Sequence, residues 1–393
     1  LGSTTYPVGI ILERRRRAET STHVRHHSID RRSFLQLAGA ATLIAASGCA
    51  TRTFNVVPAP RRRFARVDVS PGRVIRTVVG LRPYRPSGFV LRAERVGRSL
   101  LVHNYGHGGG GVTLSWGTAR LAVDELGGWT GPLDRAAVVG CGAVGLATAR
   151  LLQRRGLAVT IYARDIPPNT TSNVAGAQFG PFSVFEAGRT TPAFDDQFAQ
   201  AARISRRLFQ DLPLREFGIR WIENYSLSDE ERRPPPNLEL YPDTTDLGPR
   251  QHPFPHRHAR RFTTMLIETS TYMRALLQEF LIAGGRVVVR DLPDRRALVA
   301  FDEPVIFNCT GLGARALLGD EELTPAKGQV TFLLPQPEVD YITLAPSGLY
   351  MFPRSDGILL GGTFERGNWT LDPDPAAMTR ILEGHRRFFT AMR

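Results

Sequence analysis

Lysine is almost missing from this chain: Lys327 is the single one among 50 basic residues, the rest being arginine. That bias points to a GC-rich bacterial genome and says little about mechanism. Cysteine is also scarce, and Cys49, Cys141 and Cys309 give no disulfide framework. Cys141 and Cys309 read as small buried residues. The apolar run from Leu37 to Ala46 is ten residues, too short to span a bilayer core. His103 and His107 share a glycine-rich loop, yet no nearby carboxylate or cysteine completes a ligand set, so no metal is expected. Acids are few in the first 66 residues, where the runs Arg14–Arg17, Arg31–Arg32 and Arg61–Arg63 hold much of the net charge of +13. A basic tail can bind nucleic acid. A targeting segment explains the same residues better, and no nucleic-acid partner is expected. No internal repeat is found.

What the chain does have is 393 residues at 42% hydrophobic and 22% charged, ordinary for a soluble globular protein and enough for a large core and two domains. Asp30-Arg31-Arg32-Ser33-Phe34-Leu35-Gln36 resembles the twin-arginine export motif, and the apolar run after it ends in Ala46-Ser47-Gly48-Cys49. Basic residues, a short apolar stretch and a small-residue cleavage site read as a signal peptide. The competing reading is an amphipathic helix of the mature protein. Residues 1–49 are thus expected to export the chain to the periplasm or cell surface, with or without a lipid anchor at Cys49. If the leader does not function, the protein is cytoplasmic. Membrane association is expected only through this export or anchor. Residues 50–63 read as a linker.

Ala136-Ala137-Val138-Val139 leads straight into Gly140-Cys141-Gly142-Ala143-Val144-Gly145. Val144, Ala147, Leu151 and Leu152 then recur at helical spacing up to a stop at Gly156, and Leu157 to Tyr162 reads as a second strand. Strand, glycine turn, helix, strand is the context a dinucleotide fingerprint needs. Gly140 permits the tight turn, Gly142 lets a pyrophosphate approach the backbone, and Gly145 lets the helix pack on the strand. Ala143 and Val144 open the helix whose free amides and dipole favour the phosphates. The place for a ribose-binding acid falls on Arg164, with Asp165 next; a one-residue shift can turn a side chain to the opposite face, so both stay candidates. The fingerprint alone does not choose FAD over NAD.

The stretch His103-Asn104-Tyr105-Gly106-His107-Gly108-Gly109-Gly110-Gly111, followed by Thr113, Trp116, Gly117 and Ala119, resembles the signature of the D-amino-acid oxidase family of flavoenzymes. In that family the signature lies near the C-terminus; here it precedes the glycine fingerprint. The chain therefore resembles a family member in circularly permuted order. The resemblance implies an α/β fold, with a Rossmann-like FAD-binding domain and a mixed β-sheet substrate domain with helices. It implies FAD as cofactor, wrapped by Gly108, Gly109, Gly110, Gly111, Val112 and Thr113. It adds contacts from Thr170, Thr171, Ser172 and Gly176 after the second strand, from Val288, and from Thr310 in Asn308-Cys309-Thr310-Gly311.

Gly80-Leu81-Arg82-Pro83 resembles the family motif whose arginine binds the amino-acid carboxylate, a task suited to a planar guanidinium fork. Gly348-Leu349-Tyr350-Met351-Phe352-Pro353 resembles the strand whose tyrosine hydroxyl meets the same carboxylate. The resemblance gives the Gly109 carbonyl the substrate amine. A second, lid-borne tyrosine of the family has no counterpart here, which implies a shorter lid. Phe364 stands where relatives selective for acidic substrates place an arginine, which implies neutral or apolar side chains. The expected reaction is oxidation of a D-amino acid to a 2-oxo acid, ammonia and hydrogen peroxide, with molecular oxygen as second substrate. The alternatives are a glycine or amine oxidase, a D-amino-acid dehydrogenase, or a flavin-binding pseudoenzyme.

The expected layout is a substrate-domain segment at 64–97 and FAD-binding domain at 98–180. Residues 181–270 are mainly substrate domain, 271–327 FAD-binding domain again, and 328–393 substrate domain. The stretch from Gly127 to Asp134 reaches at most about 26 Å, ample to join the helix after the signature to the first fingerprint strand. A permuted chain further requires the helix opened by Asp374-Pro375 to end near Phe64 to Val69. The rival account is an incomplete chain that pairs with a second molecule. Oligomeric state stays open, a homodimer included.

Overall fold

The computed structural model describes residues 62–231, 238–298 and 300–393. The expected leader and nearly all of the linker lie outside them. Residues 63–393 form one compact unit.

In chain order the elements are β1 (Val74–Tyr84), β2 (Val90–Val96), β3 (Ser99–Tyr105), α1 (Gly111–Asp124), β4 (Arg135–Val139), α2 (Ala143–Arg154), β5 (Ala158–Ala163) and α3 (Thr171–Val174). Next come α4 (Pro192–Gln210), β6 (Ile219–Ser228), β7 (Thr245–Leu247), β8 (His258–Ile267), α5 (Thr269–Ile282), β9 (Arg286–Val289), α6 (Arg295–Leu298), β10 (Val305–Asn308) and α7 (Gly313–Leu318). The chain continues with β11 (Thr324–Leu333), β12 (Tyr341–Leu344), β13 (Tyr350–Arg354), β14 (Gly357–Gly361), β15 (Glu365–Arg366) and α8 (Pro375–Thr390).

Among the described residues, six strands form one sheet in the order β2-β3-β10-β4-β5-β9. All neighbours in it are parallel except the β2–β3 hairpin. The central strands β4 and β10 are buried on both faces, which is why they read as unbroken apolar runs rather than alternating ones. Nine of the described strands form a second sheet, in the order β1-β11-β14-β13-β12-β6-β8-β7 with β15 on β11. It is antiparallel except at β6–β12, the mixed sheet expected.

Two domain boundaries differ from the expected layout. β2 falls in the expected substrate segment 64–97 but pairs along its whole length with β3, so the change of sheet comes before Val90 rather than at 98. Helix α4 lies in the span read as mainly substrate domain, yet it packs on α1 under the six-stranded sheet. Gly117 of α1 comes so close that an added Cβ would stand 1.8 Å from the Ala201 carbonyl, and its amide donates to Ser205 Oγ at 2.7 Å. The Trp116, Gly117 and Ala119 end of the signature is thus helix packing, and Trp116 Nε1 donates to Tyr272 Oη at 2.8 Å. Between residues 238 and 255, β7 pairs with β8, and Phe254 is fully buried against Tyr225 and Tyr341.

Helix α8 begins as its sequence implies, with the Asp374 carboxylate accepting from the Ala376 amide at 2.9 Å and Pro375 in the first turn. Its far end packs where expected. Phe388, Phe389 and Met392 share a buried cluster with Val67 and Val69. Tyr341 Oη donates to the Ala65 carbonyl at 2.6 Å, and Arg66 Nη2 donates to the Met392 carbonyl.

Candidate functional site

A cavity of about 1900 Å³ opens where the parallel strands end. Asn104 of β3, Val139 of β4, Ala163 of β5 and Cys309 after β10 form one wall, and β1, β11 and β13 of the larger sheet form the other. Small-molecule pockets commonly run to roughly 300–1,000 Å³, so this larger space suits a dinucleotide with a small substrate beside it.

Of the residues expected at the site, this cavity brings together Arg82, Tyr350, Gly108, Gly109, Gly111, Val112, Thr113, Gly140, Gly142, Ala143, Val144, Arg164, Asp165, Thr170, Thr171, Ser172, Gly176 and Thr310. Gly110, Gly145 and Val288 do not line it. A Cβ on Gly110 would meet Val184 Cγ2 at 2.6 Å, and one on Gly145 would stand 2.0 Å from the Gly140 carbonyl, so both glycines serve close packing. Val288 sits inside β9 opposite Tyr162, and it is Arg290 and Asp291, past the strand end, that reach the cavity.

At the fingerprint, Gly140 takes φ +112° and has no room for a side chain, since a Cβ would stand 2.4 Å from the Cys309 carbonyl. Gly142 differs: only Ser172 Oγ, at 3.2 Å, is near an added Cβ, so the space above the turn is open. Ser172 Oγ accepts from the Ala143 amide at 3.0 Å, which ties the Thr170–Gly176 segment to the start of α2. An open turn at the head of a helix whose N-cap, Gly142, supplies no side-chain cap fits a pyrophosphate. Arg164 and Asp165 pair with each other at 2.9 Å at the exposed mouth.

The histidines of the signature are structural. His107 is stacked on Phe89 at 5.1 Å and shares a 3.1 Å hydrogen bond with Thr118 Oγ1. Burial drives its pKa down to about 3, so it is neutral. His103 bridges Glu94 and Asn308, at 3.1 and 3.2 Å, and burial pushes its pKa down as well. Burial also raises the thiols of Cys141 and Cys309 to about 12, leaving them protonated beside the glycine turn. Among the described residues no group of His, Cys, Asp and Glu could hold a metal ion.

The glycines after His107 answer to a neighbour the sequence does not announce. Gly108 (φ +53°) would place a Cβ 2.2 Å from the Ser183 carbonyl, and Gly109 would place one 2.8 Å from that of Phe182. The Gly109 amide donates to Ser183 O at 3.0 Å. The loop is thus clamped between the 182–183 backbone and the cavity.

On the other wall Arg82 and Tyr350 meet, with Arg82 Nη2 donating to Tyr350 Oη at 3.4 Å. The second terminal nitrogen, Arg82 Nη1, is buried without a partner. A buried guanidinium N–H left unmade is costly, and a carboxylate is the group whose geometry fills it. Two glycines that sequence reading passed over make room here. A Cβ at Gly328 of β11 would stand 2.2 Å from Arg82 Nη1, and one at Gly361 of β14 would stand 2.0 Å from Tyr350 Cζ. Their only sequence signal is a glycine inside a strand. Phe364, Trp369 and Leu371 line the mouth with exposed apolar surface. The β12–β13 hairpin closes within Ala345 to Leu349, in line with a short lid.

Comparison with known proteins shows the family. The family model described as "FAD dependent oxidoreductase" matches residues 41–125 and 135–393. The D-amino-acid oxidase of Rubrobacter xylanophilus is 32% identical over 256 residues, 63% of this chain and 75% of that protein. The human D-aspartate oxidase is 30% identical over 263 residues, 63% of this chain and 74% of its own. In fold, the chain resembles glycine oxidase from Bacillus cereus, with TM-score 0.51 at 18% identity over 65% of this chain and 78% of that one. L-Proline dehydrogenase from P. horikoshii gives TM-score 0.51 at 15% identity over 66% and 77%. The chain belongs to the FAD-dependent oxidoreductase family that includes the D-amino-acid oxidases, and FAD is its cofactor.

Proposed function

We propose that the protein oxidises neutral or apolar D-amino acids, with molecular oxygen and water as co-reactants, to 2-oxo acids, ammonia and hydrogen peroxide. One observation carries this reading: the unpaired Arg82 Nη1 beside the Tyr350 hydroxyl, over glycines that leave space for both. The preference for D-substrates rests on the relatives named D-amino-acid oxidase. The apolar rim of Phe364, Trp369 and Leu371 argues against acidic side chains.

Arg82 forks onto the substrate carboxylate, and the Tyr350 hydroxyl donates to the same group. The Gly109 carbonyl accepts from the substrate amine and favours its neutral form. Gly142, Ala143 and Val144 would hold the pyrophosphate at α2, with Gly140 making the turn and Gly145 the close packing behind it, while Thr170 to Gly176, Thr310, Gly108, Gly109 and Gly111 would enclose the rest of the cofactor. Arg164 and Asp165 stand at the ribose end. When bound, FAD supplies the acceptor for the hydride that leaves the α carbon. No protein base is required beyond loss of the amine proton, and His107, buried and tied to Thr118, is not one.

We read the segment order as a circular permutation. Support comes from the break in the family match at 126–134 and from the packing of Met392 beside Val67 and Val69. A gene re-ordered to begin at Arg135 and to join Arg393 to Phe64 is expected to give a folded, yellow protein, and a colourless or unfolded product would count against the permutation. Export by the twin-arginine route is part of the proposal; Arg31→Lys with Arg32→Lys is expected to trap the protein inside the cell, and unchanged export would refute it.

The test of function is aerobic turnover on a panel of D- and L-amino acids, with peroxide and 2-oxo acid measured together. Equal yields from apolar D-amino acids support the oxidase. Turnover only with an artificial electron acceptor would make it a dehydrogenase, and turnover only with glycine would make it a glycine oxidase. A yellow protein inert to every substrate would be a pseudoenzyme.

A further inference from the structure

A hairpin turn ordinarily carries its charges into water, yet Arg354, at the turn between β13 and β14, has a side chain only 1% exposed. A buried guanidinium is tolerated only when its donors are met, and here they are. Nε and Nη2 fork onto Asp356 at 2.8 and 3.0 Å. Nη1 leaves the sheet and donates to the Ala175 carbonyl at 3.2 Å and to Thr269 Oγ1 at 2.9 Å. Thr269 Oγ1 passes the bond on to the Asn173 carbonyl at 2.9 Å. Arg76 holds Asp356 from the far side at 2.7 Å. Ala175 lies in the Thr170–Gly176 segment that lines the cavity. Strand β13 begins at Tyr350 on the substrate wall and ends at Arg354.

We propose that Arg354 is a positioning residue for the cofactor, a strut that fixes the backbone of residues 173–175 from the substrate sheet. This rests on the reading that the Thr170–Gly176 segment holds FAD. Lysine cannot replace it, because a single ammonium cannot fork onto Asp356 and also reach across to Ala175 and Thr269. One strand thereby carries both the substrate tyrosine and the residue that holds the cofactor segment.

The test is FAD titration of the apoprotein by quenching of flavin fluorescence, below the melting temperature and with folding checked by circular dichroism. Arg354→Lys is expected to raise the FAD dissociation constant about tenfold or more, and at saturating FAD to displace the flavin absorption bands from those of wild type. Thr269→Val, which cuts the relay but keeps the fork, is expected to raise it about threefold; this variant decides the matter should Arg354→Lys fail to fold. Thr171→Glu sets a carboxylate on the exposed face of the same segment and tests the underlying reading. If Thr171→Glu weakens FAD while Arg354→Lys and Thr269→Val leave affinity and spectrum unchanged, Arg354 serves the fold alone and the proposal is overturned. If Thr171→Glu has no effect on affinity, the segment does not hold FAD, and reading and proposal fall together.

Discussion

Gly328→Ala isolates the role of Arg82 without touching Arg82. Gly328 pairs with Gly80 across the β1–β11 ladder, two residues from Arg82. A methyl placed there would stand 2.2 Å from Arg82 Nη1 and 2.5 Å from Cζ. Ordinary carbon contacts need about 3.5 Å or more, so the guanidinium must retreat by more than about 1 Å. The atoms that yield are the end of a flexible side chain, and β11 tolerates alanine, so the fold should lose about 1 kcal/mol or less, below the usual cost of overpacking a rigid core. The carboxylate contact cannot stretch that far. Losing one hydrogen bond to a charged group costs about 1.5–3 kcal/mol, or about 10- to 100-fold in affinity. Steady-state kinetics on a D-amino acid should therefore show KM raised by about that factor, with FAD bound as in wild type. An unchanged KM would mean that Arg82 Nη1 does not meet the substrate. Loss of FAD with an unchanged KM would place the arginine on the cofactor.

Further outcomes follow from neighbouring geometry. Tyr350→Phe should raise KM by about tenfold at most and leave FAD binding intact, since the hydroxyl supports a carboxylate already held by Arg82; equal damage to FAD affinity would contradict the assignment. Gly142→Val, entering open space, should lower FAD affinity with little change in the melting temperature of the apoprotein. Gly145→Ala, facing the Gly140 carbonyl at 2.0 Å, should destabilise the fold by about 1–3 kcal/mol; the reverse ranking would refute the division of labour among these glycines. His107 is depressed in the folded state to about 3 by burial, while the unfolded chain takes its proton near pH 6.5. Stability from this residue is full above about pH 6.5 and falls as pH drops toward about 3, because only the unfolded state binds the proton. Urea midpoints between pH 7 and 5 should flatten in His107→Gln, and an unaltered slope would refute this. Phe364→Arg should move preference toward D-aspartate, read as a ratio of kcat/KM values against D-alanine.

Much of this was legible because chemistry and geometry are local in sequence. The fingerprint from Val139 to Gly145 is strand, turn and helix in one stretch, and Asp374-Pro375 caps a helix it touches. What escaped reading depends on segments far apart. Nothing in Gly328 or Gly361 says that an arginine and a tyrosine will lie against them, since those contacts arise from β1–β11 and β13–β14 pairing. The resemblance puts Gly108 and Gly109 around the flavin, but it does not say that the backbone at 182–183 lies against them. Arg354 reads as a turn residue until β13 carries it under the Thr170–Gly176 segment. β2 was assigned to the wrong sheet because an alternating edge strand does not say which partner it takes.

The central claim is that Arg82, Tyr350 and the flavin share one small-molecule site, and anaerobic mixing tests it most directly. With oxygen excluded, an apolar D-amino acid should bleach the yellow of the wild-type protein while its L-enantiomer does not. Arg82→Ala should hold as much FAD and bleach only at far higher substrate concentration. Bleaching of Arg82→Ala at the wild-type concentration, or none in the wild type with any D-amino acid, would contradict the account.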